Sequence, residues 1–91
     1  MTDHVNPPCI GGVLLRAGLR LHVGEADYRY GLGDVDLVVR AVRSLITADD
    51  EAWVELETDQ VWDGGTRPRL IQVRAAALRT AVRPGPPTDL R

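Results

Sequence analysis

A run of ten residues rich in β-branched side chains, Val35–Ser44, constrains the fold more than any other part of the chain. Two glycines and an aspartate interrupt the chain just before it, and the acidic segment 48–51 interrupts the chain after it. Six of the ten residues are apolar, which is too many for a strand with one face in water. We therefore expect this run to form a strand at the centre of a sheet.

The core has to be built mainly from aliphatic side chains. The 91 residues suit one domain, and a hydrophobic fraction of 44% is typical of a globular chain. Because there is no Phe and there are only two Trp and two Tyr, Val, Leu, Ile and Ala must fill the interior. A core of this kind is thin, so we expect a partner or a self-association surface to add to it.

The charge balance argues against a general nucleic-acid or membrane-surface binder. The net charge is −2 and the isoelectric point is about 5.6, whereas such binders usually carry a strongly basic balance. All eleven basic residues are Arg, a bias that is typical of a high-GC genome and that also suits pairing with carboxylates.

Cysteine usage and hydropathy point to a cytoplasmic protein. Cys9 is the one cysteine, so we expect neither an internal disulfide nor a cysteine-based metal or redox site. The N-terminus lacks a signal-peptide pattern, and no apolar run approaches the roughly 20 residues that span a bilayer. We expect no cofactor and no bound metal.

The chain alternates between short strands and turns over one predicted domain, residues 13–80. The alternation along Val13–Val23 predicts a half-buried strand, or two short strands bent at Gly18. The central strand is expected over 35–46, with a bulge because the apolar parity changes along it. The flanking segments are predicted as a flexible lead-in (1–12), a long loop (24–34), an acidic turn (47–51), a strand (52–62), a hairpin turn (63–68), a strand (69–75), a closing helical turn (76–79) and a disordered Pro-rich tail (81–91).

Turn signals at intervals of about ten residues favour an all-β fold, a small closed barrel of four or five strands. The order of strand, long loop, three-stranded meander and one-turn helix resembles Src-homology-3-like barrels, including Tudor and KOW modules, over about residues 19–78. Glu25–Tyr30 is similar to the Ala-Leu-Tyr-Asp-Tyr stretch of their peptide-binding members, and Val73–Leu78 lies where their final 3₁₀ turn falls. The Trp pair and the Pro-Ser-Asn-Tyr signature of those members are absent, so the resemblance implies the barrel shape and not binding of Pro-rich ligands. The overall pattern also resembles that of small uncharacterised proteins of high-GC bacteria, which implies no particular activity.

The aromatic residues are the first candidates for a binding surface. The predicted loop holds Tyr and Arg side chains beside the Trp residues of the next strand, an arrangement that can stack on a peptide, a base or a cation. The competing interpretation is that these rings fill space in a core without Phe. We expect a non-enzymatic module that binds another protein or a second copy of itself, with five surface contacts: Tyr28, Arg29, Tyr30, Trp53 and Trp62.

Two further sets of charged residues have alternative interpretations. A nucleic-acid-binding barrel would use the Arg-rich face of Arg16, Arg20, His22 and Arg29. The acidic row Glu55, Glu57 and Asp59 has the carboxylates for acid–base chemistry or for binding a divalent ion. Because a regular strand offers no concave setting, we expect these carboxylates to pair with arginines of neighbouring strands. A catalytic site is not expected.

Overall fold

The structure is a computed structural model that describes residues 8–83, and it is mainly β. Its strands and one helix, in chain order, are β1 (Cys9–Ile10), β2 (Val13–Leu14), β3 (Arg20–Val23), β4 (Val35–Ala48), β5 (Glu51–Trp62), β6 (Gly65–Arg74), α1 (Leu78–Ala81) and β7 (Val82–Arg83). Short 3₁₀ turns lie at Glu25–Asp27 and Ala75–Ala77. No helix in residues 8–83 is long and apolar enough to cross a membrane.

Five strands form one antiparallel sheet in the order β6-β5-β4-β3-β7, and β1 and β2 form a separate hairpin. The predicted central position of the 35–46 run is confirmed, because β4 is the third of the five strands. Its register shifts twice, between Val39 and Ala41 and between Val42 and Ser44. The predicted bulge is therefore present, and a second one follows it.

The sheet is open, so the predicted closed barrel is wrong. Closing it would require the β3–β7 side to pair with β6, but β3 has four residues and β7 has two. In residues 8–83, the backbone contacts on this side of β6 come from the loop after β3, through an isolated bridge between Tyr28 and Val73 and a hydrogen bond from Arg29 to Gln72. Strands this short cannot supply the staggered ladder that closure requires.

One face of the sheet, the inner face, packs on the core. Alternate residues along the three long strands are buried there: Val35, Leu37, Val39, Val54, Leu56, Ile71 and Val73. The β1–β2 hairpin and α1 cover this face with Val13, Leu15, Leu78 and Ala81. Each fully buried aliphatic side chain contributes about 1.5–3 kcal/mol. The opposite side of the sheet, the outer face, is uncovered in the part of the chain described.

Both ends of the predicted domain extend further than expected. Gly11 and Gly12 have positive φ and turn the predicted lead-in back, so that Cys9 and Ile10 pair with β2. A side chain at position 11 would place its Cβ 2.5 Å from the carbonyl oxygen of Ala75, which explains why glycine is required there. At the other end, Val82 and Arg83 pair with β3 although they fall in the predicted tail. The remaining lead-in and tail predictions concern residues 1–7 and 84–91, which lie outside the described part.

Candidate protein-interaction surface

Four side chains gather on the outer face where the loop after β3 runs along the edge of β6, near the cross-strand pair of Trp53 and Arg74. The Arg29 guanidinium carbon lies 5.4 Å from the centroid of the Tyr30 ring and 5.9 Å from that of Trp53. The guanidinium carbon of Arg74 lies 5.3 Å from the Trp53 ring. These distances are within the range of cation–π attraction. We name this group, Arg29, Tyr30, Trp53 and Arg74, the aromatic–arginine patch.

Backbone pairing holds the patch on the sheet. The amide of Arg29 donates to the Gln72 carbonyl oxygen at 3.0 Å, and its side chain donates to the Gln72 amide oxygen at 3.3 Å. Arg74 donates to a Glu51 carboxylate oxygen at 2.7 Å and lies 3.6 Å from Asp27. Both guanidinium groups are thus fixed beside the Trp53 ring.

Tyr30 is the most unusual residue of the patch. It is 84% exposed and has a φ of +61°, a left-handed conformation that is uncommon for residues other than glycine. The next residue, Gly31, has no room for a side chain, because a Cβ there would lie 2.8 Å from the Tyr28 ring. The tight turn therefore presents the Tyr30 ring to solvent at a cost in backbone strain.

Tyr28 is a core residue, so its predicted role as a surface contact is wrong. It is 3% exposed, and its hydroxyl donates to the Gly33 carbonyl oxygen at 2.6 Å and accepts from the Leu32 amide at 3.1 Å. These two hydrogen bonds close the loop that carries Tyr30. The space-filling interpretation is correct for this ring, since its bulk completes a core without Phe.

Trp62 is 47% exposed, but it lies far from the patch. It is nine positions from Trp53 on a strand with no register shift against β6, so the two indoles lie at opposite ends of β5 and on opposite faces. Trp62 contacts Arg67 instead, with the guanidinium carbon 5.8 Å from the ring centroid. Of the five predicted contact residues, the structure brings together Arg29, Tyr30 and Trp53.

The predicted pairing of the acidic row is confirmed for two of its three carboxylates. Arg40 lies 3.4 Å from Asp59, and Arg43 lies 3.2 Å from Glu57. The third, Glu55, accepts hydrogen bonds from Ser44 and Gln72 instead. Two shallow grooves, of about 490 Å³ and 250 Å³, lie beside the acidic row. Both are lined by Leu70, an apolar side chain that is 53% exposed.

The residues of the alternative nucleic-acid surface do not form one basic stripe. Arg16, Arg20 and Arg29 are on separate segments, and His22 lies between two carboxylates, 2.7 Å from Asp36 and 3.4 Å from Asp34. The hydrogen bond to Asp36 raises the pKa of His22 above its usual value of 6.5. The charge of Asp36 and a hydrogen bond with Asp34 add to this effect, whereas partial desolvation and the charge of Arg83 oppose it. Acidic groups therefore interrupt the positive charge on this strand.

In residues 8–83, no group of three or more His, Cys, Asp or Glu side chains is arranged to hold a metal ion. Cys9 is a free, exposed thiol.

Comparison with known proteins gives no match to a family model, to a curated protein or to a solved structure. The interpretation of the patch therefore depends on its own chemistry.

Proposed function

We propose that this chain is a non-enzymatic module that binds another protein through the aromatic–arginine patch. The observation that carries the proposal is Tyr30, a large aromatic side chain exposed to solvent in a costly backbone conformation. Neither its exposure nor its strain contributes to folding. Strained residues that persist in a structure cluster at functional sites.

The composition of the patch supports a protein as the partner. Tyr, Trp and Arg are the residues most enriched among those that dominate binding energy at protein interfaces. Arg29 is held between the Tyr30 and Trp53 rings, so little side-chain entropy is left to lose on binding. The exposed Leu70 beside the neighbouring groove adds apolar area. We infer a partner that offers an apolar surface with a carboxylate for Arg29.

The second candidate function, nucleic-acid binding through Arg16, Arg20, His22 and Arg29, has less support. The net charge of −2 opposes approach to phosphates, and two aspartates flank His22.

The exposed free thiol of Cys9 suits a reducing compartment, and we place the module in the cytoplasm as part of the proposal.

The test compares Tyr30→Ala with Leu32→Ala, since Leu32 is 89% exposed on the same loop and is not part of the patch. The tagged full chain is used to purify its partner from cells of its source, and affinity is then measured with purified components. We expect Tyr30→Ala to weaken binding at least tenfold, as a dominant interface residue would, and Leu32→Ala to leave the affinity unchanged. Equal affinities for both variants and the wild type, or recovery of nucleic acid alone, would overturn the proposal.

A double variant, Tyr30→Ala with Trp53→Ala, tests whether the rings serve binding or folding. We expect it to lose the partner while its far-ultraviolet circular dichroism stays that of the wild type. If the double variant unfolds, the two rings are structural and the proposal fails.

A further inference from the structure

One edge of β4 has no backbone partner over half of its length. β3 pairs with β4 from Val35 to Val38. The Val39 amide donates to the Leu19 carbonyl oxygen and the Val39 carbonyl oxygen accepts from the Gly18 amide, which extends this contact by one residue. Beyond Val39, the only strand in residues 8–83 that pairs with β4 is β5, on the other side. The backbone groups of Ala41–Ala48 that point away from β5 are therefore free to pair with another strand.

The outer edge of β6 pairs with the loop after β3 at Gln72 and Val73, and the rest of this edge is protected against strand addition. Pro68 lies within it and has no amide hydrogen to donate, and Arg67 and Arg69 flank the proline. Proline and charged side chains are the usual devices that keep sheet edges from pairing. Between Ala41 and Ala48, β4 has no proline and one charged residue, Arg43. The β4 edge lacks the protection that β6 has.

The unprotected edge includes a regular stretch of useful length. Both register shifts of β4 lie before Ser44. The five residues that begin with Ser44 pair with Glu51–Glu55 without irregularity. We name these five residues, Ser44–Ala48, the distal segment. Five residues is the usual length of a strand in a sheet.

The distal segment is complementary to itself. A two-fold axis through Ile46, perpendicular to the sheet, places Ser44 opposite Ala48 and Leu45 opposite Thr47 of an antiparallel second copy. All five residues of the regular stretch take part in this one register.

We propose that the distal segment pairs with the distal segment of a second copy, antiparallel and centred on Ile46, so that two sheets become one continuous sheet. This proposal rests on the free edge of β4 and not on the aromatic–arginine patch, although Ile46 is the cross-strand neighbour of Trp53 in that patch. The pairing would satisfy the free backbone groups of both copies.

The side chains of the distal segment suit such a pairing. Leu45 is on the inner-face side and is 60% exposed, because neither β3 nor α1 reaches it. In the dimer it would pack beside Thr47 of the second copy. Ile46 is the cross-strand neighbour of Trp53, so the two Ile46 side chains would meet and connect two Trp53 rings across the outer face. The exposed Leu45 and the partly buried Ile46 thus gain cover, one on each face.

The first test measures the mass of the full chain by light scattering coupled to size exclusion. We expect twice the chain mass of 10.0 kDa for the wild type and the single chain mass for Leu45→Arg. The matched control is Leu70→Arg, an exposed leucine on β6, which is expected to remain dimeric. A wild type that is monomeric at every concentration, or a Leu45→Arg variant that stays dimeric, would overturn the proposal. The masses of these two variants can be measured whether or not Tyr30→Ala binds the partner, so failure of this proposal is distinguishable from failure of the proposed function.

The second test examines the register in a Cys9→Ser background. Ile46→Cys would place two thiols directly opposite each other, within the Cα distance of about 5.5 Å that a disulfide needs. Thr47→Cys would place them farther apart than about 7 Å, since residue 47 lies opposite residue 45. We expect mild oxidation to link Ile46→Cys at least tenfold faster than Thr47→Cys. Equal rates, or faster linkage of Thr47→Cys, would show that the register is wrong.

Discussion

The two halves of β4 have similar apolar sequences and opposite surroundings. Val35–Val39 lies between β3 and β5, and its residues Val35, Leu37 and Val39 are at most 5% exposed. The distal segment has a neighbour on one side, and Leu45 on its inner-face side is 60% exposed. The comparison shows that an apolar run specifies a strand, whereas its neighbours decide whether the strand contributes to the core or to an interface.

The largest expected difference between the two halves is in stability. Leu37→Ala removes a side chain that is 1% exposed, and we expect it to lower the free energy of unfolding by about 2–5 kcal/mol. Leu45→Ala, the matched change in the distal segment, is expected to cost less than about 0.5 kcal/mol in the monomer. Urea denaturation at low protein concentration measures both. Similar losses for the two variants would contradict the contrast between the halves.

The next expected effect concerns the loop that crosses from β3 to β4. Tyr28→Phe removes a buried hydroxyl that makes two hydrogen bonds, and we expect a loss of about 1–2 kcal/mol in the free energy of unfolding. Tyr30→Phe is the control, because the Tyr30 ring is exposed, and it should leave the stability unchanged. Thermal denaturation of both variants tests this, and equal melting temperatures would argue against a structural role for the Tyr28 hydroxyl.

A smaller effect is expected where the two halves of β4 meet. The ion pair of Arg40 and Asp59 is on the outer face, with side-chain exposures of 59% and 28%. A double-mutant cycle with Arg40→Gln and Asp59→Asn should give a coupling energy of about 0.2–1 kcal/mol. The coupling should nearly vanish at about 1 M salt, where the screening length is about 3 Å. A coupling that is independent of salt would mean that the pair is held by packing and not by charge.

The smallest expected effect is a pH dependence in the first half of β4. Because Asp36 raises the pKa of His22 in the folded chain, the protonated ring stabilises the fold below the unfolded pKa of about 6.5, and this contribution is lost as the pH rises through the folded pKa. We expect Asp36→Asn to lower the stability more at pH 5.5 than at pH 8.5. A nuclear magnetic resonance titration of His22 should show a lower pKa in Asp36→Asn than in the wild type, and the same pKa in both would refute the assignment.

Local patterns predicted the long strands and most of the pairing between arginines and carboxylates on the outer face. Alternation along β5 placed Val54, Leu56 and Thr58 on one face, and all three are buried. The arginines expected beside the acidic row, Arg40 and Arg43, lie on the neighbouring strand and pair with Asp59 and Glu57. These predictions succeeded because a strand has a period of two residues and pairs with its neighbour along a hairpin.

The loop between β3 and β4 is where prediction from the sequence was least successful. Glu25–Tyr30 has no periodicity that separates the buried Tyr28 from the exposed Tyr30. That difference arises from the isolated bridge of Tyr28 to Val73 and from the two hydrogen bonds of its hydroxyl. Tyr28 and Val73 are distant from each other in the chain, so no local pattern could predict that they pair.

By itself, the sequence determined the three long strands, the two turns that connect them, the aliphatic core and the closing helical turn, because each depends on residues close together in the chain. The tertiary structure decided that the sheet stays open, that Tyr28 is buried, and that the distal segment has a free edge. Those outcomes depend on which strands meet and on how far β3 and β7 extend beside β4. Contacts between distant residues are a property of the whole packed chain, which is why only the fold could establish them.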